Sequence, residues 1–521
     1  MKLFNIKYFF AAGFSLIIFS CEKQLNQTNP NAQTSATFWK TSTDALAGVN
    51  ACYQMFLEDG GYMRFSPILL NVQGDDVRSQ SPWTAISNVG KFQLGTADLS
   101  GYGWTFDEYY QGISRCNQVL TYVPGISMDA GLKSRILGQA YFLRGLFYFH
   151  LVDMWGSVPL PTHVAEVAPQ STPAQGWARV TADLSTAADL LPVQYSTDGG
   201  VDSKDLGRAT KGAAMAFLGK AYLFNKKYDS AAAEFKSVIA SNVYSLMPSY
   251  GDNFTDTKEN NPESIYEIQF SLTAGGTDLQ WQGIPSSTWG FYSARAITFA
   301  GPNFGWRDVQ PTQTLLAEYR QEKTVDGKID PRCLATVLYN DTVDTHAPTT
   351  PMYQTTFQAA YAASPAYMAD VYCKKYENWY GNKPNEFDWK SGINERLMRY
   401  ADVLLMYAEC ENELGNQAVA AQYIQMVRSR VNLPNRQAEF AGYTQAQLRD
   451  QIGHERMLEF ALEGHRWDDI RRWGWLSDPA KLAWLKSRDP EFNSYIPGKE
   501  LLPIPQTEID NNPNIKQNAT Y

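Results

Sequence analysis

The sequence offers little with which to hold a metal or a disulfide framework. It has six cysteines and five histidines in 521 residues. Past Cys21, the cysteines at Cys52, Cys116, Cys333, Cys373 and Cys410 are far apart, odd in number and without a CxxC pair. That disfavours a disulfide scaffold or a zinc site and leaves only a Cys333–Cys373 pair open. There is no basic block, and the formal net charge is −9 with a pI of about 5.3, so the chain is not built to wrap a nucleic-acid backbone. The uncharged run Tyr8–Phe19 is 12 residues long, short of the roughly 20 that a membrane-spanning helix needs. Charged residues are also sparse, 19% against 44% hydrophobic, the balance of a folded protein with a large core. What the chain has in quantity is aromatic side chains, 13% of residues with 14 Trp and 30 Tyr. Such rings supply large contact area at low entropy cost and suit cores and binding faces alike.

The N-terminus reads as a processing segment and not as part of the fold. Lys2 and Lys7 precede the apolar stretch, which ends at Ser20-Cys21, the layout of a secretory signal over residues 1–20. Ile18, Ser20 and Cys21 resemble a bacterial lipobox, in which lipid is attached to the cysteine, although Phe19 is bulkier than that pattern prefers. An ordinary secretory signal with an incidental cysteine is the other reading. Residues 21–34 are polar and apolar-poor, a flexible tether reaching roughly 20 Å.

The rest is read as mostly α, with residues 35–521 forming a single domain. Residues 36–58 are amphipathic and stop at Asp59-Gly60-Gly61. Residues 129–155 are apolar on nearly every side, which marks a buried helix, stopped by Gly156 and Pro159. Two stretches fall on tetratricopeptide spacing. In the first, Leu218, Gly219, Tyr222, Ala231, Phe235 and Val238 carry the pattern; in the second, Leu404, Tyr407, Ala408, Ala420, Ile424 and Val427 do. Helical pairs are therefore expected at about 129–191, 209–241, 399–431 and 444–474. Between them, about residues 245–390, Gly, Pro, Ser, Thr, Asn and aromatics dominate, with short β-like runs such as SIYEIQF. That segment is a long insertion, and its aromatic content argues against disorder.

Two motifs look chemical and are better read as structural. In HERMLEFALEGHRWDDIRRW, Leu458 stands where a zincin needs its second histidine. His454 and His465 lie three helical turns apart with no well-spaced carboxylate between them. Glu459 and Glu463 are expected to pair with Arg456 and Arg466 or with neighbouring helices. Arg144, His150 and Asp153, inside the apolar helix, are expected to be partnered core polar groups.

Several segments together resemble the SusD/RagB family of outer-membrane lipoproteins. They are Cys21 with its lipobox-like approach, AYFLRGLFYFHLVDMWGSVPLPT (140–162) and the helical pair at 209–241. RYADVLLMYAEC (399–410), HERMLEFALEGHRWDDIRRWG (454–474) and ELLPIPQTEIDNNPNIKQN (500–518) complete the set. The resemblance implies a tetratricopeptide-like α/α superhelix of about four pairs with grafted loops and a few short strands. It implies a lipid-anchored, surface-exposed protein that performs no catalysis; no required cofactor and no metal-ligand residues are expected, and a bound structural metal ion is left open. Its ligands would be oligosaccharides, or in some members peptides, passed to a SusC-like TonB-dependent β-barrel importer. Export to the surface in such hosts favours acidic residues after the cysteine; here Glu22 alone is acidic, followed by Lys23 and Gln24.

The resemblance also implies that ligand contacts come from the insertion and from loops after the first helix. Sugars present C–H faces to aromatic rings and hydroxyls to planar amide, carboxylate or guanidinium groups. WQGIPSSTWGFYSARAITFAGPNFGW (281–306) holds seven rings with Arg295 as its only charge, and NVQGDDVRSQSPW (71–83) holds the second candidate set. Trp281, Trp289, Tyr292, Trp306 and Trp83 are the expected stacking platform, with Asp75, Asp76, Arg78, Asn303 and Arg307 as hydroxyl partners. About half of the seven rings should be structural, Phe299 and Phe304 foremost. For Asp75, Asp76 and Arg78, a solvated turn with a surface ion pair competes with the ligand role. A glycoside hydrolase is the rival in another class: Asp75 and Asp76 are adjacent and cannot face each other across a bond, so Asp308 would have to supply the second carboxylate by convergence of the loops. A tetratricopeptide adaptor binding only protein is a third reading.

Overall fold

Helix α1 (Ser42–Gln54) begins where it does because Thr41 and Asp44 form a reciprocal capping box. The computed structural model describes residues 38–96, 100–196, 203–274, 276, 278–279, 288–340, 351–353, 355–377 and 390–521. Cys21, the signal and tether segments, and Trp281 therefore lie outside the described residues. A short helix α2 (Phe65–Asn71) follows, then α3 (Tyr102–Tyr122) and the long α4 (Ala130–Trp155). Asp129 caps α4 by accepting from Leu132 N at 2.7 Å, and Gly156 ends it at φ +76°. From Gly138 onward nearly every α4 side chain is buried, as its all-round apolar sequence requires.

The fold is mostly α, built from antiparallel helical pairs. α4 pairs with α5 (Pro173–Leu190), and α5 packs on α6 (Lys211–Phe224), which pairs with α7 (Tyr228–Ala240). α7 packs against α8 (Tyr400–Glu413), whose partner is α9 (Gln417–Arg430), and α10 (Gln445–Phe460) closes the array with the short α11 (Arg466–Arg472). The small residues of the repeat do what their spacing implies: a Cβ on Gly219 would sit 2.6 Å from the Phe235 ring. Only glycine lets the two helices approach that closely.

The insertion is zipped shut where it leaves and rejoins the helices. Strand β1 (Ser264–Ile268) pairs antiparallel with β2 (Glu395–Arg399), Ser264 opposite Arg399 and Ile268 opposite Glu395. Buried charge, beside apolar clusters, ties the described part of the insertion to the helices. Glu455 of α10 receives Arg332 at 2.6 Å and Arg428 at 2.9 Å. Glu459 receives Arg332, Arg399 and Arg430, and Glu463 receives Arg399 at 2.7 Å and Lys375 at 2.9 Å. Glu459 and Glu463 thus do not pair with Arg456 and Arg466. The alternative, pairing with a neighbouring helix, holds for Glu459 through Arg430 of α9, and Arg399 of β2 with Arg332 and Lys375 of the insertion supplies the other partners. Arg456 instead binds Asp402 and Asp469, each at 2.7 Å. Ion pairs so deeply buried contribute little net stability yet are costly to break, because a lone charge remains in low dielectric. Their effect is to fix where the insertion sits.

Arg144, His150 and Asp153 are partnered core groups. Arg144 grips Asp183 with two bonds of 2.7–2.8 Å, His150 shares a 3.0 Å bond with the Tyr62 hydroxyl, and Arg471 donates to Asp153. Burial pushes the His150 imidazole down to about 3, so it is neutral. Cys333 and Cys373 are both buried and are not joined by a disulfide, which removes the pairing the sequence left open.

Candidate ligand-binding face

The loop after α2 and the insertion meet edge to edge. Val77–Arg78 pairs antiparallel with Gln310–Pro311, Val77 opposite Pro311 and Arg78 opposite Gln310. Thr312 N donates to the Asp76 carbonyl at 2.9 Å, and Gln80 N donates to the Arg307 carbonyl at 3.1 Å. These bonds bring residues 78–83 and 303–308 into one loop cluster. The turn in the insertion needs left-handed backbone at Asn303 (φ +71°) and Arg307 (φ +58°). Asparagine tolerates that region well, whereas for arginine it marks a specific constraint.

Five of the expected residues come together here. Arg78 holds Asp370 with both carboxylate oxygens at 3.0 Å, partly exposed on each side. The Arg307 guanidinium lies 5.4 Å over the Tyr367 ring, within cation–π range. Asn303 is exposed, its amide donating to the Ala360 carbonyl at 3.2 Å. Trp306 is half-buried against the Met63–Ile297 cluster. Trp83, also half-buried, meets Phe65 edge-on at 5.5 Å and lies 6.0 Å from Trp104. These five residues belong to the two loops that the Gln80–Arg307 bond joins.

Four expected residues are elsewhere, and three of those are corrections. Asp75 is completely buried between Arg466 (2.6 Å) and Arg488 (2.5 Å). Burial alone would raise its carboxyl, but the two guanidiniums hold it below the ordinary value. It is a structural ion, not a sugar partner. Asp76 is buried beside it, and burial together with the Asp75 charge pushes it up to about 7. Tyr292 is only 7% exposed and spends its hydroxyl on the Gly276 carbonyl at 2.8 Å, so it packs and does not stack. Its neighbour Trp289 is half-exposed but lines a separate cavity with Phe291. Phe299 and Phe304 are buried, as expected of packers.

The face also contains two residues that the sequence did not point to, Tyr367 and Asp370. Tyr367 lies in the one-turn helix Pro365–Met368, capped by Ser364, and Asp370 follows it. That turn precedes Val371–Cys373, a strand packed beside Gln310–Pro311. No local spacing ties residue 370 to residue 78; only the fold does. The loops do converge as a hydrolase would need, yet Asp308 is buried, and burial pushes it up to about 6 against the Ser81 hydroxyl and Arg64. Asp75, Asp76 and Asp308 all face away from solvent, and Asp370 is engaged by Arg78.

Comparison with known proteins agrees with this architecture. Residues 262–521 match the SusD family, and residues 24–223 match the family described as "Starch-binding associating with outer membrane". A SusD-like protein of Formosa agariphila is 26% identical over 541 aligned residues, covering 98% of each chain. The structure of a SusD superfamily protein from Bacteroides vulgatus superposes with a TM-score of 0.79 at 27% identity, over 93% of this chain and 100% of that one. A laminarin-binding SusD-like protein superposes with a TM-score of 0.72 at 25% identity, over 93% and 100%.

Proposed function

Because the chain belongs to the SusD family, we propose that it is an outer-membrane glycan-binding lipoprotein. It captures oligosaccharides at the cell surface and passes them to a SusC-like TonB-dependent importer, without catalysis. The observation that carries the reading is the convergence of residues 78–83 with 303–308 through the Gln80–Arg307 bond. On this reading Trp83, Trp306 and Tyr367 are the rings of the face, and Arg78, Arg307, Asn303 and Asp370 its polar groups. Such a surface gives sugar C–H faces rings to lie on and sugar hydroxyls planar partners. The likeness to a laminarin-binding protein of this family supports the ligand class, and the matched family description supports the location.

Lipid attachment at Cys21 supplies the anchor, and the polar stretch behind it supplies the reach. The absence of catalysis rests on the acids: the aspartates nearest the face are buried or engaged by arginine. Affinity electrophoresis through gels containing different polysaccharides tests the ligand class. Retardation by at least one, with no reducing ends released, is the expected result. Retardation by none, while an importer still co-purifies, would favour a protein-only adaptor instead.

A further inference from the structure

A second cavity lies away from the Arg78–Trp306 face. It measures about 710 Å³, inside the range of roughly 300–1,000 Å³ usual for small-molecule sites. One wall is α1, the other is the end of β1 with Trp289 and Phe291, and the strap Leu206–Arg208 borders it. On the far side of the strap a further cavity of about 400 Å³ shares Tyr266 and Glu267 with the first. The strap lies tight on its floor: Gly207 has φ +90°, and a Cβ there would sit 2.5 Å from the Gln269 side chain.

The lining has the two halves of carbohydrate chemistry. Phe291 is 43% exposed, and Trp289 near it is half-buried, whereas Tyr292 turns inward. The Phe291 carbonyl is pinned by Ser271 N at 2.6 Å, so the ring stands on fixed backbone. Opposite, the Arg208 guanidinium is held in place by Asp205 (2.8 Å), Gln139 (3.0 Å) and Asn50 (2.8 Å). Tyr266, only 3% exposed, lines both cavities, and its hydroxyl has no hydrogen-bond partner among the described residues. A buried hydroxyl without a partner is costly, and a ligand oxygen would remove that cost.

Charge selects the class of ligand. Arg208 is balanced by Asp205, and Glu267 by Arg396 at 3.2 Å. Lys204 is the one further charged residue of the lining among the described residues, so the walls carry a small net charge, too little to select an anion. An acyl chain would leave the Tyr266 hydroxyl unpaired. A neutral polyhydroxyl ligand satisfies both rings and hydroxyl. We infer that this cavity is a second carbohydrate subsite, with one sugar ring stacked on Phe291 and Trp289 and its hydroxyls bonded to Tyr266 and Arg208. The inference rests on the glycan-binding reading above and adds a separate place for a chain end or a second chain.

The test is an array of defined α-glucan, β-glucan, xylan, mannan and pectic oligosaccharides, probed with wild-type protein, Phe291→Ala, Tyr266→Phe and Trp306→Ala. Thermal unfolding of each variant confirms that it is folded. The expected result is that Phe291→Ala weakens binding of at least one array glycan tenfold or more, and that Tyr266→Phe weakens the same glycan. Trp306→Ala should leave that glycan measurably bound. If every bound glycan is lost with Trp306→Ala and unaffected by Phe291→Ala and Tyr266→Phe, the second subsite is refuted while the first face stands. Should the wild type bind no array glycan, both are refuted. Should Phe291→Ala alone not fold, Tyr266→Phe decides by the same criterion.

Discussion

Gln80 and Arg307 are joined by one backbone hydrogen bond of 3.1 Å, and through it two loops far apart in sequence become one surface. The bond continues the short ladder in which Arg78 faces Gln310. Because it uses backbone atoms, the side chains of Arg78, Trp83, Trp306 and Arg307 are left to do other things. The aromatic and guanidinium groups of the proposed glycan face are thus positioned by main chain, on a scaffold that buried ion pairs hold in place.

Asp75 separates the structural role from the ligand role most sharply. Asp75→Asn leaves Arg466 and Arg488 facing each other without their shared carboxylate. The expected outcome is a destabilisation of about 3–5 kcal/mol in urea unfolding, with glycan affinity of the folded protein unchanged. A folded variant of full stability with lost affinity would restore Asp75 to the binding site.

His454 gives a pH signature of the ion-pair network. It lies 3.2 Å from both Glu318 and Glu322, which are themselves held by Arg488 and Arg428, with Glu455 nearby. Burial would depress its imidazole, but the two carboxylates more than offset this and raise it to about 9. A folded value above the ordinary 6.5 means that the proton is bound more tightly in the folded state. Its stabilisation is fully present below about pH 6.5 and is lost as pH rises through about 9. His454→Gln is expected to lose about 1–3 kcal/mol at pH 6 and much less at pH 10, measured by denaturant midpoints. An equal loss at both values would rule out the charged pairing.

Helices were legible in the sequence where local signals set them. The all-round apolar 129–155 stretch, the Thr and Asp caps, and Gly219 opposite Phe235 each act within one helix or one hairpin. The face was legible only in part. Arg78, Trp83, Asn303, Trp306 and Arg307 are loop residues whose type already suggests exposure. Asp75 looks the same on the page, but its partners Arg466 and Arg488 are 391 and 413 residues away. Tyr292 differs from Phe291 only by which side of an extended segment it occupies, and in a run of mixed rings nothing marks the sides. Glu459 and Glu463 were legible only as structural ion pairs: helical spacing offered Arg456 and Arg466, whereas the partners are Arg430 of α9, Arg399 of β2, and Arg332 and Lys375 of the insertion.

The anchor has its own test. Cys21→Ala is expected to release the protein into the soluble fraction of cells lacking the importer, as seen by membrane fractionation. Continued membrane association of that variant would exclude lipid attachment at Cys21 as the anchor.

The most direct measurement is calorimetric titration of wild type, Trp306→Ala and Tyr292→Phe with a glycan that retards the wild-type protein in affinity gels. Trp306→Ala is expected to cost roughly 1–3 kcal/mol of binding, by analogy with base stacking on aromatic side chains. Tyr292→Phe, which alters a buried hydroxyl, is expected to bind as the wild type does. Wild-type affinity in a folded Trp306→Ala variant would contradict the account.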